Sequence, residues 1–335
     1  METVIAVVVT FNRQKLLAEC LDALKNQTRI IDKILVINNG STDLTENWLA
    51  KQQGIDYFTQ ENIGSGGGFN TGIRMAFEKK YDWIWLMDDD GFPKEDALEN
   101  LLENSDDKMC LRNCAVINKE DKNSFVWKTG NYTGLDTVNE EIIHNYAHPF
   151  NGTLLHKDII KKVGLPKKEL FIWGDETEYY HRIITKYKIP FYTKTNSIHY
   201  HPASAYSYKK DWDFYTNWKI FYYVRNRFHI LKTRYSGKPL IAFLSYIFFL
   251  VSFSGLILLF QKSNKFRKIN FMLWPIKDAF INNCEATPTL ILHRLSEKKK
   301  YHFSHNFPLP YRRPKVALYH SGSGLHEFKK HKTFT

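Results

Sequence analysis

The feature that most constrains the fold is an alternation of apolar runs and helical patterns in the N-terminal part of the chain. The apolar runs have the length and composition of buried strands. They are Val4 to Val9, Ile34 to Ile37, Ile55 to Phe58 and Trp83 to Met87. Helical patterns lie between them, at Asn12 to Asn26 with Asn12 as the N-cap and at Gly68 to Lys80. Repeated strand–helix units predict a parallel sheet with helices on both faces.

Polar clusters follow each of the predicted strands directly. These clusters are Thr10 to Asn12, Asn38 to Asp43, Glu61 to Asn70 and Asp88 to Asp90. In sheets of this kind ligands bind at the carboxyl ends of the strands. The sequence therefore predicts a binding site at this edge of the sheet.

Three consecutive aspartates, Asp88, Asp89 and Asp90, end the fourth predicted strand. Carboxylates two residues apart after a buried strand can converge on one hard cation, and a phosphate-bearing substrate supplies further oxygen ligands. The alternative is an acidic helix N-terminus, because a helical pattern follows Pro93 and acids are stabilised there by the helix dipole.

A glycine-rich run extends from Asn62 to Gly72. Glycines allow backbone N–H groups to approach a ligand closely, and the N-terminus of the next helix favours an anion. The run is neither a Walker loop nor a dinucleotide-binding fingerprint. We interpret it as an anion-binding loop, with a flexible surface loop as the alternative.

Several motifs in order resemble those of the inverting glycosyltransferases of family 2, and more narrowly its bacterial rhamnosyl- and galactofuranosyltransferase branch. They are VVVTFNR, INNGSTD, ENIGSGGGFNTG, WLMDDDG, FNGTLL, FIWGDETEYYHR and YYVRNR. The resemblance runs from Val4 to about Arg227. It implies an α/β fold of the GT-A (Rossmann-like) type, with a mixed sheet flanked by helices. The residues beyond the resemblance predict a C-terminal helical, membrane-associated extension.

The resemblance also implies roles for individual residues at the donor and metal sites. The donor-binding residues are Thr10, Asn12, Asn38, Asp43, Asn62, Gly67, Asp88 and Asp89. The family usually has an aspartate facing the pyrimidine base where this chain has Asn38, whose amide can still bond to a ring N–H or carbonyl. Asp43 has a second interpretation, as the N-cap of the next helix. The metal ligands are Asp88, Asp90 and His201, and the cofactor is Mn²⁺ or Mg²⁺.

A second acidic group, Asp175 and Glu176, starts a helical pattern within FIWGDETEYYHR. Inversion needs a general base that deprotonates the acceptor hydroxyl. The resemblance places this base at Glu176, with Asp175 as the other catalytic candidate. It implies that Trp173 binds the acceptor, and core packing is the alternative role for this indole.

An uncharged run from Leu240 to Phe260 is long enough to span a bilayer as a helix, and basic residues flank it on both sides. Because these flanks give no orientation preference, we favour a helix that lies in the cytoplasmic membrane interface, bound to anionic lipid. One alternative is a single membrane span. The other is a helix buried in the core or in a contact of a homo-oligomer. We predict a catalytic domain over residues 1–210 and a helical, basic region over 211–335.

Lys and Arg together number 47 against 35 Asp and Glu, and the excess lies beyond residue 260. A basic tail beside an apolar run fits an anionic membrane better than nucleic acid. The N-terminus has no secretory signal pattern, and the four cysteines predict free thiols in a reducing compartment. We therefore expect a catalytic domain on the cytoplasmic face of the membrane.

The predicted function is transfer of galactofuranose or rhamnose from a nucleotide diphosphate sugar to a lipid-linked oligosaccharide or polysaccharide acceptor of a bacterial cell surface. The alternative is a non-catalytic nucleotide-sugar-binding or scaffold protein of a polysaccharide assembly complex. The retention of both acidic groups favours the enzyme.

Overall fold

A mixed β-sheet and a helical C-terminal region make up the part of the chain that the computed structural model describes, which is residues 2–103, 107–203 and 210–296. The strands are β1 (Val4–Thr10), β2 (Lys33–Asn38), β3 (Ile55–Thr59), β4 (Trp83–Asp88), β5 (Phe92–Pro93), β6 (Leu111–Asn118), β7 (Ser124–Thr129), β8 (Tyr132–Gly134), β9 (Ile142–His144), β10 (Asn151–His156) and β11 (Phe191–His201). The helices are α1 (Gln14–Lys25), α2 (Thr45–Leu49), α3 (Gly64–Glu78), α4 (Ala97–Leu102), α5 (Lys157–Val163), α6 (Asp175–His181), α7 (Lys219–Arg234), α8 (Pro239–Phe260), α9 (Lys265–Phe280) and α10 (Pro288–Ser296).

The sheet runs in the order β3-β2-β1-β4-β10-β6-β11-β5. Its first four strands are parallel, as their continuous apolar runs predict, whereas β10 is antiparallel to both β4 and β6. Val9 pairs with Ile37 on one side and with Asp88 on the other, so the carboxyl ends of β1, β2 and β4 meet at one edge. The mixed sheet flanked by helices that the resemblance implies is confirmed.

Asn12 does not cap α1, which is a correction to the sequence analysis. The helix begins at Gln14, and Asn12 has a left-handed backbone with φ of 56°. Its side-chain oxygen instead accepts the backbone N–H of Thr42 at 2.7 Å. The residue therefore links the turn after β1 to the turn after β2.

The glycine-rich run is helical and not a loop, which corrects the predicted start of this helix at Gly68. Helix α3 begins at Gly64 and packs on the sheet at a distance that only glycine permits. A Cβ on Gly68 would lie 2.5 Å from Cγ1 of Val9, and a Cβ on Gly72 would lie 2.3 Å from Cγ1 of Val7. Close packing of helix on strand explains these two glycines, while the helix N-terminus still faces the polar edge of the sheet.

We expect Gly72→Ala to destabilise the protein by roughly 1–3 kcal/mol, because the added methyl overpacks the contact with Val7. In an open helix the same change stabilises by about 0.5–1 kcal/mol, so the sign of the effect is informative. Gly255→Ala in α8 is the matched control, since a Cβ there meets no atom within 4 Å. Thermal unfolding of both variants tests the packing, and a Gly72→Ala protein that melts at or above the wild-type temperature would contradict it.

The C-terminal region is a bundle of α7 to α10. Helix α7 begins at Lys219, eight residues after position 211, where the sequence analysis placed the start of the helical region. Helices α9 and α10 were missed because Pro275 interrupts the helical pattern of the first and the second is short. A cluster that includes Phe221, Phe253 and Phe271 packs α7, α8 and α9 together.

Helix α8 buries only one stripe of its surface, formed by Ala242, Tyr246, Phe253 and Ile257. It has 22 residues and a mean hydropathy of 2.3, enough in length and composition to cross a membrane. On its other faces Phe248 and Leu259 are 74% and 77% exposed. The described residues therefore do not enclose α8 as a core helix.

Residues 1–298 form one compact unit by their contacts, and the division at residue 210 stays a prediction. The basic tail that the sequence analysis noted lies in large part outside the described residues. All four cysteines are free thiols, and Cys20, Cys110 and Cys114 are buried, as predicted.

Candidate active site

A cleft of about 1040 Å³ lies at the edge of the sheet where β1 and β4 end. It is lined by eight of the residues that the sequence analysis assigned to a site, namely Thr10, Asn62, Asp88, Asp89, Asp90, Trp173, Glu176 and His201. Glu176 is almost ninety residues from the three aspartates in the chain, yet it lines the same cleft.

Asp89 is the most buried of the three aspartates, at 2% exposure. The hydroxyl of Thr10 donates to its Oδ2 at 2.7 Å, and Nη1 of Arg13 lies 3.0 Å from its Oδ1. Burial nevertheless raises the pKa of Asp89 to about 6, because it outweighs the charge of Arg13 and the bond from Thr10. Asp89 is thus fixed by two protein partners at the wall of the cleft.

Asp88 lies among other negative charges at the end of β4. Burial is the main reason that its pKa lies well above the ordinary value, and the charges of Asp90 and Asp89 add to this rise. Arg13 acts in the opposite direction. Glu176 raises the pKa of Asp88 as well, so the two acidic groups are close enough to interact across the cleft.

Asp90 and His201 approach each other at the end of β11. Nε2 of His201 lies 3.4 Å from Oδ1 of Asp90, and Nδ1 of His201 is 2.7 Å from the carbonyl of Pro202. Because a carbonyl only accepts, Nδ1 carries a proton. When Nε2 carries a proton as well, it donates to Asp90, and when the ring is neutral the Nε2 lone pair is open to a cation at the same place. Burial raises the pKa of Asp90, but its bond to His201 and the charges of His201 and Arg13 outweigh burial and lower it.

The two carboxylates are suited to either Mn²⁺ or Mg²⁺, and the imidazole nitrogen suits Mn²⁺ better than Mg²⁺. Within residues 2–103, 107–203 and 210–296, no group of three or more His, Cys, Asp or Glu side chains is already arranged to hold an ion. Substrate oxygens or a side-chain movement would have to complete the coordination. Among the described residues, the permanent positive charge that pairs with Asp90 is Arg13, whose Nη1 lies 2.8 Å from Oδ2 of Asp90.

The neighbours Asp175 and Glu176 differ sharply in environment. Glu176 lines the cleft, and its carboxylate accepts the N–H of Gly174 and the hydroxyl of Thr177, both at 3.3 Å. Asp175 is fully buried, does not line the cleft, and accepts the hydroxyl of Ser65 at 2.8 Å. Burial, followed by the charge of Glu176, raises the pKa of Asp175 well above its ordinary value. Of the two acids, only Glu176 is exposed to a substrate in this cleft.

The segment before Glu176 has an unusual backbone that α7 holds in place. Phe171 and Trp173 have φ values of 68° and 54°, in the left-handed region that non-glycine residues rarely adopt. The buried amide of Asn226 donates to the carbonyls of Leu170 at 2.8 Å and Ile172 at 2.9 Å. This bonding gives a structural reason for the motif YYVRNR, to which the sequence analysis assigned no role.

Four predicted donor ligands do not line the cleft, and each has a contact within the protein. Asn38 is fully buried and bonds to the Thr59 hydroxyl at 3.2 Å, whereas the adjacent Asn39 does line the cleft. Asp43 accepts the N–H of Thr45 at 3.0 Å, but it is not the N-cap considered as its alternative, because Leu44 occupies the N-cap position of α2. Asn12 bonds to the turn after β2, and Gly67 lies in the first turn of α3.

The comparisons with known proteins agree with this geometry. The sequence model described as Glycosyl transferase family 2 matches residues 5–164. Galactofuranosyltransferase GlfT1 of Mycobacterium tuberculosis is 31% identical over 222 residues, which cover 62% of this chain and 73% of the relative. The chain belongs to glycosyl transferase family 2.

Further relatives support this family and its galactofuranosyltransferase-like branch. GlfT1 of Mycolicibacterium smegmatis is 30% identical over 223 residues, covering 62% of this chain and 74% of that protein. The crystal structure of S. aureus TarS 1-349 aligns with a TM-score of 0.51 and 12% identity, over 90% of this chain and 94% of that one. At such low identity the similarity to TarS shows the fold alone. This family member is therefore a glycosyltransferase of the hexosyltransferase class.

The cleft also contains residues that the family motifs did not single out. Arg13 follows Asn12 in VVVTFNR and pairs with acids 76 and 77 positions away. The ring of Trp127 on β7 lies 4.9 Å from that of His201 and 5.3 Å from that of His148, centroid to centroid. Lys219, the first residue of α7, lines the cleft as well. Only the position of Arg13 within a quoted motif offered a signal in the sequence.

Proposed function

We propose that this chain is an inverting glycosyltransferase that moves galactofuranose, or as second choice rhamnose, from a nucleotide diphosphate donor to a lipid-linked or polysaccharide acceptor. The galactofuranose preference is supported by the similarity to the GlfT1 relatives, which are galactofuranosyltransferases. Inversion is supported by Glu176, a cleft-lining carboxylate that a different element supplies from the three aspartates.

The observation that carries this proposal is that Glu176 lines the same cleft as Asp88 and Asp90. In an inverting transfer the acceptor hydroxyl loses its proton as it attacks the anomeric carbon, from the face opposite to the departing diphosphate. The base and the diphosphate site must therefore lie on different sides of the donor sugar. Acids supplied by two separate elements, the end of β4 and the start of α6, can meet this requirement.

The cleft residues that the sequence analysis assigned to a site then have the following proposed tasks. Glu176 takes the proton of the acceptor hydroxyl, and Trp173 offers an indole face to the acceptor sugar. Asp88, Asp90 and His201 would hold Mn²⁺ or Mg²⁺, which when bound neutralises negative charge on the leaving diphosphate. Thr10, Asn62 and Asp89 contact the donor, with the N-terminus of α3 facing its anionic part.

Transfer assays with nucleotide sugars and a lipid-linked acceptor analogue test the proposal. We expect release of nucleotide diphosphate that requires both substrates, and NMR of the product should show the opposite anomeric configuration to the donor. Thermal stabilisation by each nucleotide sugar identifies the donor, because a ligand at about 100 times its Kd stabilises by roughly 2.7 kcal/mol. Retention of the donor configuration, or no product with any donor, would refute the proposal.

We further propose that α8 and α9 attach the protein to the cytoplasmic face of the membrane. Besides Phe248 and Leu259 on α8, Phe266 on α9 is 81% exposed. Exposed basic residues lie around these helices, including Lys238 and Lys262. Large apolar side chains beside basic ones are the composition of a surface that binds anionic lipid. A membrane span and a contact between copies of the chain remain the alternatives.

The double variant Phe248→Ser and Leu259→Ser should bind anionic phosphatidylglycerol vesicles at least tenfold more weakly than wild type. Fully burying such a side chain contributes roughly 1.5–3 kcal/mol, and about 1.4 kcal/mol corresponds to a tenfold change. Vesicle co-sedimentation of the full chain measures the effect. Ile30→Ser, at a residue that is 77% exposed before β2, is the control. Equal sedimentation of all three proteins would contradict membrane attachment through α8.

A further inference from the structure

Lys219 is a positive charge in the cleft with no assigned task. It is the first residue of α7, and its half-buried side chain lines the cleft together with Glu176 and Asp88. Burial lowers the pKa of Lys219, and the charge of Arg13 lowers it further. The ammonium group is therefore partly desolvated and close enough to Arg13 for the two positive charges to repel each other.

No acidic side chain of the described residues pairs with Lys219. Its ammonium instead lies 5.6 Å from the ring centroid of Trp173 and 5.8 Å from that of Trp218. Indole faces attract a cation but leave its net charge in place. Two other lysines with little exposure are compensated, since Lys194 lies 3.3 Å from Glu141 and Lys268 lies 2.8 Å from Asp211. A partly desolvated cation without a counterion is unfavourable unless a ligand supplies the negative charge.

We propose that Lys219 binds a phosphate group of a substrate and so forms a phosphate subsite of the cleft. This inference rests on the proposed transferase function. Lysine binds phosphate as a point charge, and charge-assisted hydrogen bonds to phosphate oxygens are stronger than neutral ones. Two substrates of such a reaction carry this group: the nucleotide diphosphate donor, and an acceptor whose glycan is joined to lipid through phosphate. The contact with Trp173, the proposed acceptor residue, favours the acceptor as the source.

The test compares Lys219→Gln and Lys219→Arg with wild type in the full chain. Lys162→Gln, an exposed position on α5 outside the cleft, is the matched control. Two acceptors are used that share one glycan, one joined to a short lipid through phosphate and the other a plain alkyl glycoside. The Kd of the free nucleotide diphosphate is measured by calorimetry, and equal melting temperatures establish that the variants fold.

We expect Lys219→Gln to weaken binding of the phosphate-bearing substrate at least tenfold, with little change in kcat, and Lys219→Arg to retain most of it. If only the KM of the phosphate-bearing acceptor rises, the acceptor is the source. If instead the Kd of the nucleotide diphosphate rises, and both acceptors are affected equally, the source is the donor.

KM and Kd values of Lys219→Gln within twofold of wild type for every phosphate-bearing ligand would overturn the proposal. A fall in the kcat of this variant with unchanged KM and Kd would overturn it as well. Failure of the proposed function is distinguishable, because wild type itself would then transfer no sugar. In that case calorimetry would still compare the Kd of the nucleotide diphosphate and of the phosphate-bearing acceptor between wild type and Lys219→Gln.

Discussion

Glu176→Gln is expected to lower kcat by about 10²–10⁴-fold, which is the usual contribution of a general base. Glutamine has nearly the same shape, and its carbonyl oxygen can still accept one of the two bonds that Glu176 receives, from Gly174 or Thr177. The fold and the cleft should therefore remain, while the group that accepts the proton is lost. Steady-state turnover at saturating donor and acceptor measures the effect.

Glu169→Gln is the matched control for this substitution, because Glu169 is exposed and lies outside the cleft. It should leave turnover unchanged. Asp175→Asn distinguishes the roles of the two neighbouring acids. Because Asp175 is buried and accepts the hydroxyl of Ser65, this substitution should lower the stability of the protein more than its kcat. Wild-type turnover in Glu176→Gln, or a larger loss of kcat in a folded Asp175→Asn protein, would remove Glu176 from its proposed role.

Asp90→Asn should lower turnover by roughly 10²-fold or more and shift its dependence on Mn²⁺ to higher concentration. Stabilisation of the leaving charge by a cation contributes several kcal/mol, and each 1.36 kcal/mol is a tenfold change in rate. Asparagine keeps the size of the side chain but removes the charge that faces His201 and Arg13. Turnover titrated against Mn²⁺ in both proteins reports the shift.

Asp22→Asn, at an exposed aspartate of α1, serves as the control for the loss of one negative charge. It should have the metal dependence of wild type. Wild-type protein that retains full turnover after chelation of divalent ions would show that the acids at the end of β4 do not act through a cation.

The strands that position the site were predictable because their sequences are locally unambiguous. The runs Val4 to Val9 and Trp83 to Met87 are apolar throughout, and β1 is buried along its whole length. Polar residues follow such runs only where the strand leaves the sheet. The position of the site at this edge could therefore be predicted from the sequence.

The features that were missed depend on contacts between distant parts of the chain. Local preference predicts a loop for a glycine-rich run, and only the distance of Gly72 from Val7 shows why a helix needs glycine there. Asn226 holds a segment more than fifty residues earlier, and Arg13 pairs with acids at the end of β4. No pattern within a single window of sequence contains such pairings.

The separate roles proposed for the two acidic groups can be measured most directly by calorimetric titration of UDP in the presence of Mn²⁺. UDP is the leaving diphosphate if the donor is UDP-galactofuranose, the first choice under our proposal, and it is titrated into wild type, Asp90→Asn and Glu176→Gln. Glu176→Gln should bind UDP within about twofold of wild type, because the base does not contact the diphosphate. Asp90→Asn should bind at least tenfold more weakly, a loss of about 1.4 kcal/mol or more. Equal weakening in both variants, or wild-type binding by Asp90→Asn, would contradict the assignment of the cation to one acidic group and of the proton to the other.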